Sequence, residues 1–190
     1  QVLIDGGPGS QILNKLGQEM PFFDREIDLV ILTHPDKDHL GGLIDVLKNY
    51  QVGQVIDPCL DDSTTVYFEW LRLIEEKKIE RICAQAGQKI KIADNIKMII
   101  LYPFYNLKGQ SFKNTNLASL VIKLIYGQGK ILLTGDAEES IEYQLVRAGT
   151  DLKSQILQVA HHGSKTSTSQ EFVKLVSPEI AIIQVGKNNK

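Results

Sequence analysis

Residues 34–39 read His34-Pro35-Asp36-Lys37-Asp38-His39, two imidazoles and two carboxylates on one short segment directly after an apolar run. The chain has four histidines. The other two, His161-His162, are adjacent and also follow an apolar run. Histidine with carboxylate is the donor set that zinc, manganese and iron take, so the chemistry within reach is metal-dependent. Asp136, beyond the apolar Ile131-Leu132-Leu133-Thr134, could offer an oxygen to each of two ions, and His161 would complete the set. Each piece alone has a bland reading. The first loop could be a solvated turn, Asp136 a helix N-cap, and His161-His162 one core histidine beside an exposed one. Together these readings leave unexplained why every histidine falls at the end of a strand-like run.

Those runs are what must position the ligands. Apolar and β-branched stretches predict strands at 1–5, 27–32, 52–58, 80–84, 89–92, 97–102, 119–126, 130–134, 154–160 and 179–185. Gly127-Gln128-Gly129 predicts a hairpin between two of them. Helices are expected at 10–17, 40–50, 63–77, 138–148 and 170–176. The third would be capped by Ser63 or Thr64, with Val66, Phe68, Leu71, Leu73 and Ile74 among its apolar positions. His34 to His39 would then form a loop between strand and helix. With no Pro/Gly/Ser-rich linker and no internal repeat, the expectation is one α/β domain over 1–190.

Composition narrows the classes. At 190 residues with 43% hydrophobic and 23% charged side chains, the chain can build a real core. A net charge of −2 gives no overall pull toward polyanions, so contact with nucleic acid would be local to a site. No apolar stretch approaches the roughly 20 residues of a membrane span. Cys59 and Cys83 lack metal-ligand spacing and are expected as buried thiols, or as a disulfide in an oxidising compartment. The absence of an initiator Met, and ends that fall at strands, suggest a domain cut at both ends from a longer chain.

The segment His34-Pro35-Asp36-Lys37-Asp38-His39-Leu40-Gly41-Gly42 resembles the His-x-His-x-Asp-His signature of the metallo-β-lactamase superfamily. Val2-Leu3-Ile4-Asp5-Gly6-Gly7 is similar to that family's opening strand and aspartate, and Leu132-Leu133-Thr134-Gly135-Asp136 to its bridging-aspartate motif. Within the superfamily, several details look closest to the hydrolase domain of the ComEC family of DNA-uptake channels. They are Asp36 at the second ligand position, the run Asn116 to Ile122, and Val159-Ala160-His161-His162-Gly163-Ser164. The resemblance covers 2–188 and implies a four-layer αββα sandwich with two divalent metal ions.

Carried over residue by residue, it implies His34, Asp36, Asp38, His39, Asp136 and His161 as metal ligands, with Asp38 and Asp136 also catalytic. Asp5, Asn116 and His162 are candidates for ligands or for residues that orient them. Ser164 and Lys165, in a hydroxyl-rich loop, are candidates for holding phosphate oxygens. The sequence also departs from the pattern. Asp36 stands where a histidine is usual, and no histidine lies between His39 and His161, which leaves Asn116 as the occupant of the third motif. Carboxylates in place of imidazoles harden the site, favouring manganese or magnesium while zinc still binds.

The implied function is a nuclease or phosphodiesterase that degrades DNA during competence-related uptake. It would sit on the extracytoplasmic side as part of a membrane protein, with DNA and the embedded channel portion as partners. Two other classes stay open. One is a stand-alone, cytoplasmic hydrolase of a small ester, lactone or β-lactam; the other is a degenerate, metal-poor binding domain.

Overall fold

The computed structural model describes residues 1–186, so the last two positions of the resemblance, 187 and 188, lie outside the described residues. The chain divides into two compact units, one of Gln1–Cys83 with Leu107–Thr115, the other of Ala84–Asn106 and from Asn116 onward.

The first unit alternates strand and helix: β1 (Val2–Ile4), α1 (Gln11–Glu19), β2 (Glu26–Ile31), α2 (Lys37–Asn49), β3 (Gln51–Asp57), α3 (Thr65–Glu76) and β4 (Glu80–Cys83). Its four strands are parallel and lie in sequence order, β1-β2-β3-β4. Three crossovers advancing in one direction, each right-handed by preference, put all three helices on one face. There Val30, Leu32 and Val55 meet Leu40, Leu43 and Leu47 of α2 and Tyr67, Trp70, Leu73 and Ile74 of α3. Parallel strands in that order also end at one edge, which brings the residues after β1 beside those after β2.

One feature of this unit departs from expectation, and a second selects between two alternatives. Tyr67 and Trp70 carry the buried face of α3, while Phe68 is 57% exposed. Cys59 and Cys83 are not thiols but a disulfide. In β3 and β4 Asp57 pairs with Cys83, and Cys59 turns back with a φ of 55°, closing the Cα–Cα distance to 5.3 Å. The partnership crosses a helix and two loops, so spacing alone could not reveal it.

The second unit holds β5 (Lys89–Ala93), β6 (Ile96–Tyr102), β7 (Val121–Tyr126), β8 (Gly129–Leu133), α4 (Glu139–Arg147), β9 (Ile156–Gln158), α5 (Gln170–Val176) and β10 (Ile180–Ile182). The sheet order is β10-β9-β8-β7-β6-β5, antiparallel from β5 to β8 and parallel from β8 to β10. Val121, Leu132 and Leu157 pack with Ile141 and Leu145 of α4 and Phe172 and Val176 of α5. β8 and β9 are parallel neighbours, so their outgoing loops, Asp136 on one and His161-His162 on the other, leave at the same end of the sheet.

Candidate metal centre

In the first unit the segment carrying His34 to His39 is only partly a loop. α2 begins at Lys37, three residues before the expected start, so Asp38 and His39 lie in its first turn and Asp36 is its N-cap. Pro35 disfavours helix at His34, and Asp36 then opens the helix with its carbonyl accepting from His39 N (3.0 Å) and Leu40 N (2.8 Å). Close approach of α2 to the 6–9 turn requires glycine. A Cβ on Gly42 would lie 2.1 Å from the Gly6 carbonyl oxygen.

Asp5, in a left-handed conformation (φ 55°), ties this unit's donors together. Its Oδ1 accepts from Thr33 N (2.8 Å), and its Oδ2 from the Thr33 hydroxyl (2.8 Å) and from His39 Nδ1 (2.8 Å). The single Thr33 hydroxyl hydrogen goes to Asp5, so Thr33 Oγ1 accepts from His34 Nδ1 at 3.0 Å. Both imidazoles therefore carry a hydrogen on Nδ1, which makes Nε2 the nitrogen that would bind a metal. They are buried, and their centroids are 4.1 Å apart. Anchoring one ring nitrogen on a carboxylate or hydroxyl while presenting the other is how proteins orient metal-binding histidines.

Asp36 Oδ2 lies 3.8 Å from His34 Nε2, a separation two donors sharing one ion can have. Its Oδ1 accepts from the Thr115 hydroxyl, and its carboxylate makes no cap bond to α2. Forgoing that bond costs a helix about 1 kcal/mol. Asp38 is exposed at the start of the helix. Replacing Asp5 with Ala removes the acceptor that orients His39 and Thr33. Affinity for a divalent metal should fall about 10- to 100-fold, read by titrating the stripped protein. Unchanged affinity would show that Asp5 does not set the imidazole geometry.

The second unit carries its own donors. Asp136 is buried beyond β8 on a turn through Gly135 (φ 51°), and its N–H donates to Ser119 Oγ (2.8 Å). It does not cap a helix, since the N-cap of α4 is Glu138. His161 N–H donates to Gly135 O (3.1 Å), joining the loops after β8 and β9. His161 (φ 48°) and His162 (φ 53°) are both left-handed, and their rings take different partners. His162 Nδ1 donates to Gln184 O (2.7 Å), and its Nε2 lies 3.6 Å from Asp136 Oδ2. His161 Nδ1 instead lies 3.4 Å from Thr166 Oγ1 and 3.9 Å from Glu138 Oε1.

Asn116 is buried, and its Nδ2 donates to Glu138 Oε1 (3.3 Å). Glu138 escaped the sequence reading because it looks like the first residue of a helix; its signal was a second carboxylate two positions after Asp136. Ser164 Oγ is engaged within its loop, 3.0 Å from Thr166 Oγ1, and Lys165 is exposed. Glu142, buried in α4, holds that loop by accepting from Thr168 N (2.5 Å) and Ser169 N (2.8 Å). Imidazoles anchored through one ring nitrogen beside carboxylates make donor sets that fit divalent metals in each unit.

The model of the metallo-beta-lactamase superfamily matches residues 2–187. "ComE operon protein 3" of Bacillus subtilis is 31% identical over 87% of this chain, which spans 21% of that protein. "Recombination protein 2" of Haemophilus influenzae is 34% identical over 90% of this chain and 19% of its own length. "Competence protein ComA" of Neisseria gonorrhoeae is 29% identical over 87% and 21%. The chain thus spans about one fifth of these relatives. Among solved structures, the metallo-beta-lactamase fold protein YhfI from Bacillus subtilis matches 97% of this chain and 76% of its own, with a TM-score of 0.56 at 14% identity. The mixed α/β architecture, with two sheets and five helices among the described residues, is consistent with the αββα class. The likeness to YhfI shows the shared fold, and by the family match over residues 2–187 the chain belongs to the metallo-beta-lactamase superfamily.

Proposed function

We propose that the chain is a metal-dependent phosphodiesterase that degrades DNA, the hydrolase domain of a competence-type DNA-uptake protein. The observation that carries this reading is Asp36. A carboxylate oxygen faces His34 Nε2 at 3.8 Å where the superfamily pattern has a second imidazole. An oxygen-rich donor set suits hard cations, and such cations suit an anionic phosphodiester better than a neutral amide. The names of the relatives, a ComE operon protein, a recombination protein and a competence protein, support DNA as the substrate.

The proposed ligands are His34, Asp36, Asp38, His39, Asp136 and His161, holding two divalent ions, manganese or zinc. His162 joins them as the histidine whose Nε2 is turned toward Asp136. Bound ions would lower the pKa of an attacking water and offset charge on the attacked phosphate. Asp38 orients that water or accepts its proton, Asp5 keeps His39 aligned, and Asn116 steadies Glu138. Lys165, beside Ser164, contacts a phosphate oxygen of the substrate.

The remainder of the parent protein is proposed to be membrane-embedded. Among the described residues no helix is long and apolar enough to cross a membrane. The Cys59–Cys83 disulfide supports a site of action outside the cytoplasm, where such bonds persist.

The test is to strip the metal and assay supercoiled and linear DNA, a generic phosphodiester and nitrocefin with added manganese, zinc or magnesium. The expected result is DNA cleavage restored by manganese and lost in Asp38→Ala. Cleavage indifferent to that substitution would sink the proposed site. Nitrocefin turnover without DNA cleavage would make the chain a small-substrate hydrolase, and absence of tight metal binding would make it a binding domain.

A further inference from the structure

We propose that Thr115 is a positioning residue for Asp36, holding one carboxylate oxygen so that the other is presented beside His34 for the metal. This rests on the reading of Asp36 as a ligand and adds to it a residue 79 positions away in sequence.

Asp36 occupies a helix N-cap in extended geometry (φ −63°, ψ 145°), where an aspartate ordinarily accepts from the first turn. The unit's other well-formed cap behaves that way, with Thr64 Oγ1 accepting from Tyr67 N at the start of α3. Asp36 does not. Its Oδ1 takes the Thr115 hydroxyl instead, and its Oδ2 faces His34 Nε2 at 3.8 Å. The Asp36 side chain is 42% exposed, so packing alone does not immobilise it. Without the hydroxyl, the carboxylate is at liberty to rotate to the helix N–H groups or to water. His34 needs no such help, being fully buried and fixed through Thr33.

Thr115 can do this because its segment is anchored in the same unit. Leu107 is buried, Gly109 N donates to Cys59 O (3.3 Å), and Asp61 N donates to Gln110 O (2.9 Å). Cys59 is itself bonded to Cys83 at the end of β4. Residues 107–115 therefore form a strap running from the disulfide to the ligand, with the hydroxyl at its far end.

The test is calorimetric titration of the metal-stripped chain with Mn²⁺, comparing Thr115→Val, Thr115→Ser, Asp36→Ala and the Thr115→Val/Asp36→Ala double variant. Loss of an orienting partner weakens metal binding about tenfold in Thr115→Val. Thr115→Ser keeps near-native affinity because it retains the hydroxyl, and Thr115→Val adds nothing once Asp36 is gone. Native affinity in Thr115→Val with weakened binding in Asp36→Ala would overturn the role of Thr115 and leave the ligand reading intact. Native affinity in Asp36→Ala would overturn both. Equal losses in Thr115→Val and Thr115→Ser would assign the effect to strap packing and also overturn the proposal.

Discussion

Asp136→Asn should leave the chain folded and slow the proposed phosphodiester hydrolysis by about a thousandfold, roughly 4 kcal/mol of barrier. The fold survives because this residue holds its turn through the backbone. Its N–H donates to Ser119 Oγ, and the Ala137 N–H donates to Thr134 O at 3.0 Å. An amide of the same shape keeps both bonds. What disappears is a buried negative charge whose Oδ2 lies 3.6 Å from His162 Nε2. A neutral amide is a poor ligand for a divalent ion, and the charge that offsets the ion is lost with it. Circular dichroism, bound-metal analysis and a phosphodiester assay on the same preparation check this. A variant with full metal content and native rate would remove Asp136 from the proposed ligand set.

The largest loss of stability is expected at Asp57, well outside the ligand set. Its carboxylate, completely buried at the end of β3, accepts from Trp70 Nε1 (2.8 Å), Cys59 N (2.7 Å) and Arg81 Nη2 (3.0 Å). Arg81 Nη2 also donates to Tyr67 OH (2.7 Å). Burial, and then the charge of Asp57, push the Tyr67 phenol well above its usual pKa, so it stays a neutral acceptor. Asp57→Ala leaves an indole N–H and a backbone N–H with no acceptor, and a half-buried guanidinium without its counter-charge. Breaking a buried pair this way costs about 4 kcal/mol. At about 2–4 °C per kcal/mol for a chain of this size, the midpoint of thermal unfolding should fall by about 10 °C. A fall of a degree or two would mean that water replaces the carboxylate.

The sequence was most legible where the signal is local. Strands and helices follow from short apolar periodicities, and α5 spans the expected residues, 170–176. The loop ends bearing Asp5, His34, Asp136 and His161 could be read because each follows an apolar run. Legibility failed where partners are distant or two rules compete. Asp36 and Pro35 start α2 earlier than its apolar positions suggest, so His39 belongs to a helix. Phe68 looks like a core residue but loses the buried face to Tyr67 and Trp70, which carry hydroxyl and indole groups to Arg81 and Asp57. Thr115 gave no signal, since nothing near it in sequence indicates a carboxylate 79 positions earlier. His161 and His162 are equivalent as letters. Both have left-handed backbone dihedrals, and only the folded chain shows one beside Asp136 and the other beside Glu138.

Those dihedrals impose a trade-off on the chain. Two successive residues with a Cβ sit in a left-handed conformation that disfavours side chains by roughly 1–2 kcal/mol each. Glycine would relieve both and would satisfy any selection for stability alone. Keeping imidazoles there makes the bend after β9 a place where the chain surrenders robustness to hold two rings in divergent directions.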